Sequence, residues 1–294
     1  MTKNSPPKAD PPLAEKFIFF GTPEFASIVL EKLVAAGFIP EAVVCNPDRP
    51  AGRHHIITPP KIKKYILEND LPIEILQPEN PNDIRPKLLE INPDLFIVAA
   101  YGKILPGEII DIPRLGTVGV HSSLLPKYRG TSPIHGAILA GEKETGATLF
   151  MMDEKMDHGP ILAQYKVPIT GNDTHESLFS KIWGGGGKML AEILPDIFAG
   201  KIKPNVQNEA DATYTKKFTS VDGFVEEQEL EAALGGDSEK AAAIDRKIRA
   251  FGVEPGVWTL KNGKRVKLLE AELQNGKLVL KTIQTEGQKP VKAK

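Results

Sequence analysis

The stretch GTVGVHSSLLPKYRG, residues 116–130, decides how this chain is read. An apolar, β-rich run, Thr117-Val118-Gly119-Val120, carries His121 to its end. Small and polar residues follow, then Pro126, the cations Lys127 and Arg129, and Gly130. A strand that ends in an imidazole and breaks into such a loop reads in two ways. It is a loop histidine bonded to backbone, or a titratable group delivered to the edge of a sheet.

The elements on either side supply the sheet. KFIFFGT (16–22) is a short apolar run, and PEFASIVLEKLVAAG (23–37) has helical spacing from Pro23 to a stop at Gly37. EAVVC, IEIL, DLFIVAAYG (94–102), TVGVH, GATLFMM and ILAQYKVPI read as further strands. KKYILEND, DIRPKLLEI and PIHGAILAG read as helices between them. A last helix is expected from about 174 to 199, with the run Gly184 to Gly187 breaking or loosening it. Strands alternating with helices predict an α/β, Rossmann-like, doubly wound parallel sheet, in which ligands sit at the carboxyl ends of the strands. His121 lies at such an end.

Beyond this sheet the character changes. Residues 201–217 are polar and aperiodic and read as a linker. EKAAAIDRKIRAF then predicts a helix, followed by short strands punctuated by Asn262-Gly263 and Asn275-Gly276, strong hairpin signals. The expected layout is a disordered Pro-rich tail over 1–14, a catalytic domain over 15–200, the linker, and a small C-terminal OB-like β-barrel over 218–294. From Asp245 onward there are 12 Lys and Arg against 5 Asp and Glu, on a chain of 294 residues whose net charge is −1. A basic terminal domain on an acidic body hints at an anionic partner.

One cysteine, Cys45, excludes an internal disulfide and fits a reducing cytoplasm. No apolar run approaches the ~20 residues that span a bilayer, and no membrane association is expected. The first βα turn, FFGTPEF, lacks G-x-G-x-x-G; Walker A, G-x-S-x-G and metal-spaced Cys/His clusters are absent as well.

A second polar loop, MMDEKMDHGPIL, also follows a strand and holds Asp153, Glu154, Asp157 and His158. An imidazole and a carboxylate meeting at one sheet edge make a general acid/base pair. Asp157 equally suits a turn that caps backbone amides before Gly159. Spacing does not choose between these.

HSSLLPKYRGTSPIHGAILAGEKETGATLFMMDEKMDHGPIL resembles the signature of the folate-dependent formyltransferases. FFGTPEFA, NPDRPAGR and KIRAFGVEPGVWT resemble, in the right order, further motifs of the methionyl-tRNA formyltransferase branch, over about residues 15 to 285. The resemblance implies transfer of the formyl group of 10-formyltetrahydrofolate, as co-substrate, to the α-amine of methionyl initiator tRNA in translation initiation. It implies no metal, a cytoplasmic location and a monomer.

By the same resemblance, the family's catalytic Asn, His and Asp fall on Gly119, His121 and Asp157. Glycine has no side chain, so one oxyanion donor is missing, and a substitute such as Ser122, Ser123, a backbone N–H or water is expected. Ser123, Leu124, Leu125 and Pro126 are implied in folate binding, with Ile104 and Leu105 as apolar walls. Arg49 and Arg53 are implied in tRNA binding on the loop 46–64, where His54-His55-Ile56 replaces the family's usual lysine pair. Lys247, Arg249, Lys264 and Arg265, together with Arg246 and Lys267, are the cations expected on the barrel. Two rival expectations stand beside this one. One is a sugar-nucleotide N-formyltransferase, which would not carry the basic barrel. The other is a tRNA or folate binder whose catalysis was lost with the Asn.

Overall fold

The computed structural model describes residues 15–52 and 55–293; the tail expected over 1–14 and Arg53 lie outside the described residues. Packing divides the chain into two units. One is the chain up to Gly119 with Leu190–Lys203; the other is Val120–Met189 with Pro204–Lys294.

The first unit opens with β1 (Phe17–Gly21), α1 (Glu24–Ala35) and β2 (Ala42–Val44). Two exposed strands, β3 (Arg49–Ala51) and β4 (Ile56–Thr58), then pair as an antiparallel hairpin. After them come α2 (Lys61–Glu68), β5 (Glu74–Leu76), α3 (Arg85–Ile91), β6 (Leu95–Ala99), α4 (Gly107–Ile110) and β7 (Thr117–His121). Strands β5, β2, β1, β6 and β7 lie side by side in that order, and each pair is parallel. β1, β2 and β7 are buried at every position, as parallel strands covered on both faces are. Helix α1 buries the stripe Ala26, Val29, Leu30 and Leu33, the spacing of one helical face. A β-carbon on Gly21 would stand 2.5 Å from Ala26 Cβ and 2.9 Å from the Ala99 carbonyl oxygen. Glycine is what lets α1 begin so close to β1 and β6.

β7 hands its last two residues, Val120 and His121, to the second unit. There follow β8 (Arg129–Gly130), α5 (Pro133–Ala140), β9 (Glu144–Met151), β10 (Ile161–Pro168) and α6 (His175–Phe198). Beyond α6 come β11 (Tyr214–Thr215), α7 (Glu227–Gly235), α8 (Ser238–Phe251), β12 (Val257–Lys261), β13 (Lys264–Gln274), β14 (Lys277–Thr285) and β15 (Val291–Lys292). β9 and β10 pair antiparallel, and β12 to β15 form a four-stranded antiparallel meander. Its first two turns are those marked by Asn-Gly: Asn262, Gly263, Asn275 and Gly276 all have positive φ, the pattern of a type I′ turn. One core joins Ile134 and Ile138 of α5 and Leu178 and Ile182 of α6 to Ile248 and Phe251 of α8 and to Val257, Leu268 and Leu278 of the meander. Among the described residues no helix is long and apolar enough to cross a membrane.

The glycine run 184–187 does not break α6, which continues through it from His175 to Phe198. The sequence expectation is corrected for a packing reason. A β-carbon on Gly185 would stand 2.0 Å from the Tyr165 ring, and one on Gly186 2.7 Å from Ala147 Cβ. The close approach of α6 to β9 and β10 offsets a helix-propensity cost of about 1 kcal/mol per glycine.

Where α5 and α6 meet, His135 and His175 stack with ring centroids 4.1 Å apart, and Phe218 and Phe251 lie against His135. Burial, and then the neighbouring His175, push the His135 pKa down to about 4. Burial also lowers that of His175, with Glu176 acting in the opposite direction. Both rings are therefore neutral when folded, whereas an unfolded chain protonates them near the ordinary value of about 6.5. The His135 contribution to stability is complete above pH ~6.5 and is lost as the pH falls from there toward 4, and His175 adds to it in the same direction. The carboxylate of Asp173, already held below its usual range, does not titrate in that window. Thermal midpoints measured from pH 7 to pH 5 should fall, and His135→Gln should flatten the slope.

Candidate active site

His121 is 7% exposed at the end of β7. Its Nε2–H donates to the carbonyl oxygen of Tyr128 at 2.9 Å, which fixes the tautomer and leaves Nδ1 as the working nitrogen. Tyr128 has φ +60°, and this left-handed turn aims its carbonyl back at the ring. The turn is held at both ends: Tyr128 N–H donates to Thr213 Oγ1 at 2.8 Å, and its hydroxyl donates to Glu142 at 2.8 Å. Burial, and the Glu142 carboxylate after it, hold that phenol well above the usual tyrosine range.

Nδ1 of His121 lies 3.6 Å from Asp157 Oδ2. That is too long for a direct hydrogen bond, but close enough for the carboxylate to stabilise a charged ring. Asp157 itself sits at φ +50° and accepts a hydrogen bond from Gly130 N–H at 2.8 Å. The loop turns back sharply at Gly159, where a β-carbon would stand 1.8 Å from the Met151 carbonyl oxygen. A ring nitrogen left free by the backbone bond and set beside a fixed carboxylate is placed to exchange a proton with a bound substrate.

The other residues singled out from sequence are placed as follows. Ser123, Leu124, Leu125 and Pro126 follow His121 in a loop pinned by Thr148 and Gln164. Thr148 Oγ1 donates to the Ser123 carbonyl at 2.6 Å and accepts from Leu125 N–H at 3.0 Å; Gln164 Nε2 donates to the Leu125 carbonyl at 2.9 Å. The Ser123 hydroxyl is committed to the Lys127 carbonyl at 2.6 Å, whereas Ser122 has no side-chain hydrogen bond among the described residues. Gly119 is buried in β7, two residues before His121 and so on the same side of that strand. In the first unit Leu105 is 6% exposed and Ile104 is 91% exposed, a large apolar side chain facing water.

The cations differ in how far they are engaged. Arg49 pairs with Glu79 at an exposed position on β3. Arg249 bonds Asp245 at 2.8 Å and the Asp173 carbonyl at 2.9 Å; Arg246 donates to the Leu139 carbonyl at 3.1 Å and Lys247 to the Phe224 carbonyl at 2.9 Å. Arg265 stacks 4.2 Å above the Trp258 ring, and Lys264 is exposed with no ion pair among the described residues.

Sequence reasoning missed the support beneath the pair. Arg129 is fully buried, with its guanidinium held by Gln207, Glu209 and Tyr214. These three come from the polar stretch that reads as linker. Asn205 and Ile161 exchange backbone hydrogen bonds at 2.7 and 2.8 Å, so the stretch runs beside β10. No periodicity marks it; its one sequence cue is Tyr214 among polar residues.

Comparison with known proteins bears on the family and the fold. The formyl transferase profile matches residues 15–194, and that of the formyl transferase C-terminal domain matches residues 238–277. The chain is 40% identical to the methionyl-tRNA formyltransferase of Enterococcus faecalis over 86% of this chain and 78% of that protein. Among solved structures, the sugar 3N-formyl transferase WlaRD, solved with dTDP and 5-N-formyl-THF, superposes with a TM-score of 0.64 at 22% identity, covering 89% of this chain and 87% of that one. The methionyl-tRNA formyltransferase of Clostridium thermocellum gives a TM-score of 0.57 at 18% identity, over 92% of this chain and 99% of that one. The folds agree, the profile covers more than half of the sequence, and the chain therefore belongs to the formyl transferase family.

Proposed function

We propose that this chain transfers the formyl group of 10-formyltetrahydrofolate to the α-amine of methionine on initiator tRNA. The observation that carries the reading is the His121 Nδ1–Asp157 Oδ2 juxtaposition, with Nε2 fixed by the Tyr128 carbonyl. The name of the relative in Enterococcus faecalis supports the choice of acceptor. The family profiles at 15–194 and 238–277 support a catalytic domain over 15–200 and an OB-like tRNA-binding domain over 218–294 joined by residues 201–217.

In this reading a neutral amine attacks the formyl carbon, the formyl oxygen becomes negative, and the donor nitrogen leaves with a proton. The protein then has two tasks. It must stabilise the oxyanion and move one proton from the amine to the leaving nitrogen. Protonated at Nδ1, His121 donates to the oxyanion; deprotonated, it accepts from the amine, and Asp157 stabilises the charged form throughout. Ser123, Leu124, Leu125, Pro126, Leu105 and the exposed Ile104 would seat the folate. Lys264 and Arg265, with Arg49 and Arg53, would meet tRNA phosphates. Arg246, Lys247 and Arg249 would instead act through the carbonyls and carboxylate they already bond. The enzyme would act as a monomer in the cytoplasm.

Gly119 favours a second reading, a protein that binds tRNA and folate without turnover, because losing one oxyanion donor typically costs about 10²–10³ in rate. Formyl transfer measured beside Gly119→Asn separates the two. Under the proposed function the wild-type chain turns over and Asn raises kcat by less than about tenfold, Ser122 or a backbone N–H already serving the oxyanion. Absent wild-type turnover, restored by Asn with tRNA binding unchanged, would establish the binder.

A further inference from the structure

We propose that Gln207 is a positioning residue for formyl transfer: its carboxamide, oriented by the buried Arg129 guanidinium, holds Asp157 in the backbone conformation from which its carboxylate faces His121. The proposal rests on the catalytic reading of His121 and Asp157 given above.

Gln207 is 5% exposed. Its Oε1 accepts from Arg129 Nε at 3.2 Å and Nη2 at 2.8 Å, so the amide cannot turn over without setting its own N–H groups against a cation. Nε2 is thereby directed at two carbonyl oxygens, those of Asp157 at 2.9 Å and Gly159 at 2.8 Å. Those carbonyls hold the backbone as it leaves Asp157, whose φ of +50° is a conformation that a residue with a side chain keeps only when its surroundings hold it.

Arg129 is fixed in turn by Glu209, at 2.6 and 3.0 Å, and by the Tyr214 hydroxyl at 3.1 Å. Its sequence neighbours complete the arrangement. Tyr128 gives the carbonyl that takes His121 Nε2–H, and Gly130 gives the N–H bonded to Asp157 Oδ2. The residue that carries this buried guanidinium thus lies in sequence between the two whose backbone groups orient the pair, and Gln207 closes the ring onto the backbone of Asp157.

Gln207→Glu tests this. It keeps the size of the side chain and a partner for Arg129, but turns a carboxylate toward two carbonyl oxygens. The expected result is a lower thermal midpoint with the fold retained, kcat per folded protein lowered about 10–100-fold, and KM for both substrates within about threefold. In an Asp157→Asn background the same change should cost less than about threefold, because the residue acts through Asp157. Gln207→Met, which lacks the donor without adding charge, should behave alike when rates are expressed per folded protein. Unchanged kcat in both variants, or an equal loss in the Asp157→Asn background, would overturn the proposal. His121→Ala and Asp157→Asn alone separate it from the catalytic reading: if their kcat stays near that of the wild type that reading fails, and if it falls while that of Gln207→Glu does not, only the positioning role fails.

Discussion

Replacing His121 by alanine is expected to lower kcat for formyl transfer by about 10²–10⁴-fold, the usual range for losing a positioned acid/base group. The size follows from the arrangement of the site. Nε2 is fixed on the Tyr128 carbonyl and Nδ1 is 3.6 Å from Asp157 Oδ2, and among the described residues no other imidazole pairs with this carboxylate. His158, the nearest in sequence, turns its Nδ1 to Asp153 at 2.6 Å instead. The fold should survive, because His121 supports neither the Asp157 turn nor the 123–126 loop. Affinity for tRNA should change little, and the loss should appear in kcat rather than KM. A single-turnover assay at saturating folate, with circular dichroism to check the fold, measures this.

Arg129→Ala should have the largest effect on stability, about 3 kcal/mol, from a cavity at a fully buried site and an unsatisfied Gln207. Glu209 is 57% exposed and can return to water, so the loss stays below that of a fully buried ion pair. Arg129→Lys should recover little, since one ammonium cannot meet Gln207, Glu209 and Tyr214 as the planar fork does. Thermal denaturation should show a midpoint several degrees lower in both variants. A midpoint unchanged in Arg129→Ala would mean that the 204–215 segment is held by other contacts.

Much of this is legible in the sequence, for identifiable reasons. Parallel strands are buried on both faces, so FIFFG and DLFIVAAYG stand out as continuous apolar runs. The Asn-Gly pairs at 262–263 and 275–276 carry their turn geometry in their residue types. His121 closes a strand and Asp157 lies in the loop after one, and strand ends collect at one edge of such a sheet. What the sequence hides is long-range and polar. Arg129 meets Gln207 and Glu209 some 80 residues later through groups with no periodic signature. Arg249 and Lys247 look like surface cations until their partners, the backbone carbonyls of Asp173 and Phe224, are seen. Gly184–Gly187 look like a break because local propensity does not report the Tyr165 ring that Gly185 packs against.

The choice of acceptor is tested by formyl transfer from 10-formyltetrahydrofolate by the purified protein, offered methionyl initiator tRNA and an amino-sugar nucleotide in parallel. The expected product is formylmethionyl-tRNA, formed about 10²–10⁴-fold more slowly by His121→Ala, with no formylation of the sugar. Formylation of the sugar nucleotide alone, or a near-wild-type rate on tRNA in His121→Ala, would rule this function out.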